Sequence, residues 1–276
     1  MAALLALVSS LMWGTADFLG GSVSRRLPAL AVYGLSQAVG FIALITVATL
    51  TGAWDAPLGY WPWAIASSLL GLVGMLAFYT ALSIGPMGIV SPLVALSVIV
   101  PVAVGLLVGE IPTAIQILGI LAAVIGILLA SGPELSGAES ARPLILAGVA
   151  ALAFGGMYVT MAKGSEVDAL MTMTGMRITT VVMFLGILAV ARTLGGPTRR
   201  DILPLVVIGL FDAGATVTFG IATTLGLLST TSVLGSLYPV VTAVLAAIIL
   251  RERLRAVQYA GVAVALTGVV LISAGA

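Results

Sequence analysis

The chain has 276 residues, of which 61% are hydrophobic and only 8% charged, with a mean hydropathy of +1.26. A soluble globular domain carries about 25% charged residues, so this composition cannot cover a protein in water and its solvent is largely lipid. The net charge of +1 makes no case for a nucleic-acid partner, and the absence of cysteine and histidine excludes disulfides, thiol chemistry, Ser-His dyads and the commonest metal ligand.

A membrane-spanning helix needs about 20 mostly apolar residues. Charges and Gly/Pro clusters divide the chain into ten such spans, at 2–22, 29–50, 62–84, 89–109, 111–131, 143–162, 169–191, 203–226, 229–250 and 256–274. Residues 1–21 enter an apolar run without the leading positive charge of a secretory signal, so they read as a retained span. That span closes on "LMWGTADFLGG" (11–21), which carries Asp17. After span 2 comes the loop "TGAWDAPLGYWPW" (51–63), whose Trp54, Tyr60, Trp61 and Trp63 read as an interfacial aromatic belt. "IGPMG" (84–88) and "GEIPT" (109–113) are so short that the helices they join must be antiparallel hairpins. Pro92, Pro101, Pro204 and Pro239 mark possible kinks in spans 4, 8 and 9. Lipid leaves no water for bare backbone, so the expected architecture is an all-α bundle.

Loops after spans 1, 3, 5, 7 and 9 hold Arg25, Arg26, Arg142, Arg192, Arg199, Arg200, Arg251, Arg253 and Arg255; the opposite side holds only Lys163. The positive-inside rule therefore puts the arginine-rich side in the cytoplasm and both termini outside.

The chain repeats itself. "EIPTAIQILGILAAVIGILLAS" (110–131) aligns without a gap on "ERLRAVQYAGVAVALTGVVLIS" (252–273), matching Glu110 to Glu252, Gln116 to Gln258, Gly119 to Gly261, Ala123 to Ala265 and Gly126 to Gly268. Upstream, at a spacing shorter by one, "WG" (13–14) falls on "FG" (154–155). The division is 1–138 and 139–276, two five-helix copies. Because each has an odd number of spans, the second enters the membrane from the opposite face. The expected fold is thus two inverted repeats around a central cavity, the arrangement that permits alternating access. Gly119, Ala123 and Gly126 share a helix face, as do Gly261, Ala265 and Gly268, and small residues at this spacing let backbones approach closely. Spans 5 and 10 are expected to pack on each other. A dimer contact through these faces is the alternative, and a monomer is preferred.

Two five-helix repeats, "WG" in span 1, and a Glu followed by Gln and Gly in "GEIPTAIQILG" and "RERLRAVQYAG" resemble the EamA family of the drug/metabolite transporter superfamily. The resemblance spans essentially the whole chain. It implies ten helices, a cavity between spans 1–4 and 6–9, and export of small metabolites, amino acids among them. The chain departs from the pattern in one respect: Pro239 falls opposite Ser97, with Pro101 four residues later, so a kink in span 4 is expected to be displaced.

Asp17, Arg177 and Asp212 lie within spans, where a charge costs a few kcal/mol and usually faces a cavity or a partner. At about 1.5 Å per residue, Arg177 lies roughly 12 Å from one side and Asp212 roughly 15 Å from the other. In a core of about 30 Å these depths nearly coincide. Two readings stay open: a fixed ion pair, or a pair lining the substrate path in which Arg177 takes a carboxylate. Two aspartates against one arginine leave one acid over, and Asp17, nearer the arginine-rich side, is the candidate proton-coupling residue. Its bland alternative is a hydrated interfacial group. Trp13, Tyr79 and Tyr238 are the expected cavity walls; Gln37, Tyr158, Thr216, Phe219 and others sit at interior depth and read individually as packing. Glu110 and Glu252 end helices at hairpins and are expected to cap the first turn of the next helix.

No phosphate-binding Gly-Lys-Ser/Thr loop, catalytic dyad or metal set is present in the sequence, so neither an enzyme nor a primary pump is indicated, and no cofactor or metal is expected. The function expected is secondary transport: export of a small amphipathic metabolite, an amino acid or a relative, across the inner (plasma) membrane, with protons as possible coupling ions. An uncoupled facilitator or a small multidrug exporter is the alternative.

Overall fold

The computed structural model describes residues 1–24, 26–84, 93–130, 141–191, 197–249 and 255–275. Among them every regular element is helical: α1 (Ala2–Ser24), α2 (Ala29–Thr51), α3 (Trp61–Ile84), α4 (Ile99–Leu107), α5 (Ala114–Ala130), α6 (Ala141–Ala191), α7 (Arg199–Leu225), α8 (Leu228–Gly235), α9 (Tyr238–Ile249) and α10 (Ala256–Ala274), with short 3-10 turns at Ala53–Asp55, Leu58–Tyr60 and Leu96–Val98. Five segments are long and apolar enough to cross a bilayer: Ala2–Val23, Leu30–Thr51, Leu58–Phe78, Ala141–Ala189 and Arg199–Leu225.

The fourth of these segments is 49 residues long. Straight, it would measure about 74 Å at 1.5 Å per residue, far more than a hydrocarbon core of about 30 Å. It does not run straight. Asp168 has extended backbone, and its carboxylate accepts from the Met171 N–H at 2.7 Å, capping the arm that begins there. The two arms fold back together, so that a Cβ on Gly164 would strike Thr172, and both lie against α3. Ser67 shares a hydrogen bond with Thr160 of the first arm, and Ser68 donates to the Met176 carbonyl of the second at 2.6 Å. Sequence spans 6 and 7 are these two arms.

The surface is built for lipid. Buried positions are largely small, such as Ala6, Ala48, Ala64, Ala81, Ala123, Ala150 and Ala265, while Ile42, Leu50, Leu69, Leu121, Leu152, Leu185 and Leu266 are exposed. Hydrocarbon is as apolar as leucine, so exposing Leu costs little and close backbone packing decides what goes inside.

Helices α5 and α10 meet antiparallel along the two small-residue faces. Gly126 abuts Ala265 and Gly268 abuts Ala123; Gly119 abuts Ile272 and Gly261 abuts Ala130. Each contact is the other with the two copies exchanged. The same exchange relates α1 to the first arm of α6: Gly14 lies against Tyr238 and Val241, and Gly155 against Ser97 and Val100. The halves thus follow an approximate two-fold axis with their closing helices pointing opposite ways. The small-residue stripes, expected to bring spans 5 and 10 together, do so within one chain.

The kink in span 4 is displaced by no more than two residues. The α-helix is interrupted at Leu96–Val98 in the first copy and at Ser236–Leu237 in the second, which the exchange of copies places one to two residues apart. Pro101 and Pro239 both sit in the first turn after the interruption, where a missing N–H costs nothing. The break is therefore a property of the repeat, and each proline is tolerated beside it.

The aromatic belt also needs revision. Trp54 and Trp63 are exposed, but Tyr60 is only 2% exposed, stacks on Trp61 at 5.4 Å and packs with Met161, Met171 and Met173 near the α6 bend. It closes one end of the bundle. The other end carries Arg26, which pairs with Asp201 in the first turn of α7 at 3.2 Å. This joins the loops after spans 1 and 7, as a common arginine-rich face requires.

Candidate functional site

At mid-depth, α2, the second arm of α6 and α7 turn Gln37, Arg177, Asp212 and Thr216 toward one another. The Asp212 carboxylate accepts three donors: Arg177 Nη2 at 2.7 Å, Gln37 Nε2 at 3.0 Å and the Trp13 indole Nε1 at 3.1 Å. Arg177 Nη1 donates to the Gln37 carbonyl oxygen, and Nη2 also donates to Thr216 Oγ1 at 3.2 Å. Gln37 is thus a bridge, giving its amide hydrogens to the acid and its oxygen to the base. Thr216 in turn donates to carbonyls of its own helix, so its oxygen is aimed at the arginine.

Close backbone approach makes this possible. A Cβ on Gly209 would strike the Ser36 carbonyl and Val39, and one on Gly40 would crowd the Gly209 carbonyl, so α2 and α7 nearly touch. Arg177 and Asp212 are an ion pair, with side chains 3% and 23% exposed. The arginine is sealed, whereas one flank of the carboxylate stays open. In this conformation Arg177 offers no face to an arriving carboxylate, because its Nη groups are engaged and its Nε is buried.

Trp13 links this network to an aromatic cluster. Its ring centroid lies 5.8 Å from Tyr158, 5.6 Å from Phe219 and 6.5 Å from Tyr238, and Tyr158 lies 5.1 Å from Phe219. Edge-on and tilted contacts of this kind suit aromatic quadrupoles. Beyond Phe219 the space is filled by Met161, Met171, Met173 and Tyr60, so the end opposite Arg26 is closed.

Asp17 lies four residues after Trp13 and therefore on the same face of α1, about 6 Å nearer the arginine-rich end. It lies within electrostatic range of Asp212 and of the Tyr158 and Tyr238 hydroxyls. Trp13 is buried, yet Asp17 is exposed. A side chain that faces the interior and is still exposed borders an open space. Gly20, one turn further on, also has nothing within 4 Å of where a side chain would begin. The opening thus starts within a turn of the aromatic cluster and continues toward the Arg26 end.

Of the residues singled out from sequence, Trp13, Arg177 and Asp212 are in direct contact, Tyr238 packs on Trp13, and Asp17 stands at the margin. The side chain of Tyr79 and the whole of Glu252 lie outside the described residues. Glu110 is a cap, but not of the helix expected. Its carboxylate accepts from the Leu228 and Ser229 N–H groups, the latter at 2.9 Å, at the start of α8 in the other copy. Helix α5 is capped instead by its own Thr113 and Gln116. The Gly105 Cα gives the Glu110 side chain room to cross. Gln37 and Thr216 do not stand out in the sequence, where nothing separates a bridging amide from one that merely packs. No group of three or more Asp or Glu able to hold a metal occurs among the described residues.

The model of the EamA-like transporter family matches residues 1–132 and again 141–274, one copy each. The chain belongs to this family. An EamA-like chain is a membrane transporter of the drug/metabolite transporter superfamily. A solved structure titled "Crystal structure of protein" is similar over 99% of this chain and 97% of its own, with a TM-score of 0.83 and 18% identity. At that identity it speaks for the fold alone. No curated protein matches.

Proposed function

We propose that this EamA-like protein is a secondary transporter that exports a small amphipathic metabolite, an amino acid or a related compound, by alternating access. The observation that carries the reading is the pairing of a symmetric scaffold with an asymmetric polar centre. Two exchange-related halves can rock between states of similar energy, while Trp13, Asp212 and Asp17 mark one site between them. In this reading ten helices span the bilayer, with the two arms of α6 counted separately and α8–α9 counted as one. Arginine-rich loops place that face in the cytoplasm and both termini outside. The opening beside Asp17 then faces the cytoplasm, and the Tyr60–Met173 end closes the outer side, an arrangement ready to load an export substrate. The aromatic cluster receives the apolar body. Asp17, exposed to the opening and lacking a paired cation among the described residues, takes up and releases the coupling proton. A monomer suffices for this cycle.

The test is flux of a panel of labelled amino acids and amines in proteoliposomes, with and without an imposed proton gradient. A lumen more acidic than the bath accelerates uptake if protons leave in exchange. Flux that follows only the substrate gradient assigns an uncoupled facilitator, and no flux of any compound through folded protein removes the carrier reading.

A further inference from the structure

Among the described residues the charges around the opening do not balance, and the imbalance has a sign. Three ionisable side chains lie there, Arg177 and Asp212 in contact and Asp17 at the margin. Arg177 and Asp212 cancel, held at 2.7 Å with the arginine side chain 3% exposed. What remains toward the opening is the exposed Asp17 carboxylate, the partly open flank of Asp212, and the half-buried ring of Tyr238 beside that of Trp13. All of these attract cations: the acids by charge, the rings by the negative face of their quadrupole. Among the described residues, the positive side chain at this centre, Arg177, has its Nη groups bound to Gln37, Asp212 and Thr216. Arg26, at the arginine-rich end, is itself paired with Asp201.

Resting on the carrier reading, we infer that the ligand is an organic amine, held by its ammonium against Asp17 and the aromatic faces, with no carboxylate recognised. A zwitterionic amino acid brings a carboxylate into a site where Arg177 is closed to it, next to the Asp17 carboxylate that repels it. The same compound without the carboxylate meets only complementary groups. The substrate class narrows from amino acids in general to amines, and the apolar body lies against the half-buried Tyr238.

The discriminating probes share one ring and differ in charge: phenyltrimethylammonium, phenylalanine and 3-phenylpropionate. Each is titrated against purified full-length protein carrying Trp54→Phe, Trp61→Phe and Trp63→Phe, so that indole fluorescence reports Trp13 alone; uptake of each is measured in parallel in proteoliposomes. The expected result is saturable binding in the order ammonium, then phenylalanine, then propionate. Asp17→Asn weakens ammonium binding by about tenfold or more, as loss of a charge at a few ångströms requires, and Asp17→Glu restores it. Tyr238→Leu weakens it by about three- to tenfold. Stronger binding of propionate or phenylalanine than of the ammonium overturns the inference, as does ammonium binding that Asp17→Asn leaves unchanged. If the ammonium fails but either other probe is carried, the transporter reading stands and only its substrate class falls. If none is bound or carried by protein that melts normally, both fall.

Discussion

Two interfaces hold the halves of this molecule together, and they obey opposite rules. Between α5 and α10 every contact has its mirror: Gly126 on Ala265 answers Gly268 on Ala123. Between α2, α6 and α7 the ionic contacts have none. With the copies exchanged, Arg177 corresponds to Ser36 and Asp212 to Gly71. The first interface is built chiefly on small apolar residues and could sit anywhere along a duplicated chain. The second joins the indole and amide of the first copy, Trp13 and Gln37, to the charges of the second, Arg177 and Asp212. The difference separates scaffold from site: residues that keep the two-fold serve packing and exchange of states, and residues that break it serve the ligand.

The largest expected effect lies in the asymmetric interface. Arg177→Met or Asp212→Leu alone strands a buried charge, and each is expected to cost about 3–5 kcal/mol in detergent-solubilised unfolding. The double variant, with neither charge, recovers most of that loss while transport stays absent. If the double variant is as unstable as the singles, the pair is a packing element and the contrast between interfaces fails. Arg177→Lys discriminates further. Its ammonium can reach Asp212 but cannot hold Gln37 and Thr216 in one plane, so it recovers stability only in part.

The same distinction decides how much of the contrast is legible in the sequence. Span positions, the repeat offset and the glycine stripes are legible because they depend on composition and spacing along one chain. Arg177 and Asp212 are legible because a charge in lipid is costly wherever it sits and depth alone pairs the two. Gln37 is not, since an amide at interior depth has no such cost signature, and its bridging role depends on how α2 is rotated against α7. Glu110 shows as a cap, yet its target does not, because the start of α8 is brought there by folding across 118 residues. Tyr60 looks like a belt residue for the same reason: only the α6 bend, which Asp168 caps, covers it.

The symmetric interface supplies the next effect in size. Gly126→Leu and Gly268→Leu each drive a side chain into the opposing backbone and are expected to cost about 1–3 kcal/mol. Since the two positions are exchange-related, their penalties should agree closely. Thermal melts of the pair measure this directly. A large difference would mean that the two-fold is only approximate at the place where it is best kept.

Glu110 belongs to neither class, because it crosses between copies yet caps backbone, which any carboxylate at that point can do. Glu110→Ala leaves the Leu228 and Ser229 N–H groups without their acceptor and is expected to cost about 1.5–3 kcal/mol. Glu110→Gln keeps an acceptor oxygen and loses the charge, so it should cost less than half as much. Equal melting points for the two variants would show that shape rather than hydrogen bonding matters there.

The smallest expected effect on stability is the most informative for function. Asp17 is exposed and packs on nothing that Asn cannot replace, so Asp17→Asn should change the melting free energy by no more than about 0.5 kcal/mol. Its effect on flux should be large and of a particular form. A lumen more acidic than the bath should accelerate wild-type uptake by exchange and leave the variant's rate unchanged, because an amide cannot carry the proton across. Substrate exchange at equal pH on both sides needs no net proton movement and should persist in the variant, at reduced affinity. A variant that loses exchange and proton dependence together, with its melting point intact, would make Asp17 a binding group only, and the coupling proton would then have to ride on Asp212, the acid whose one open flank faces the same chamber.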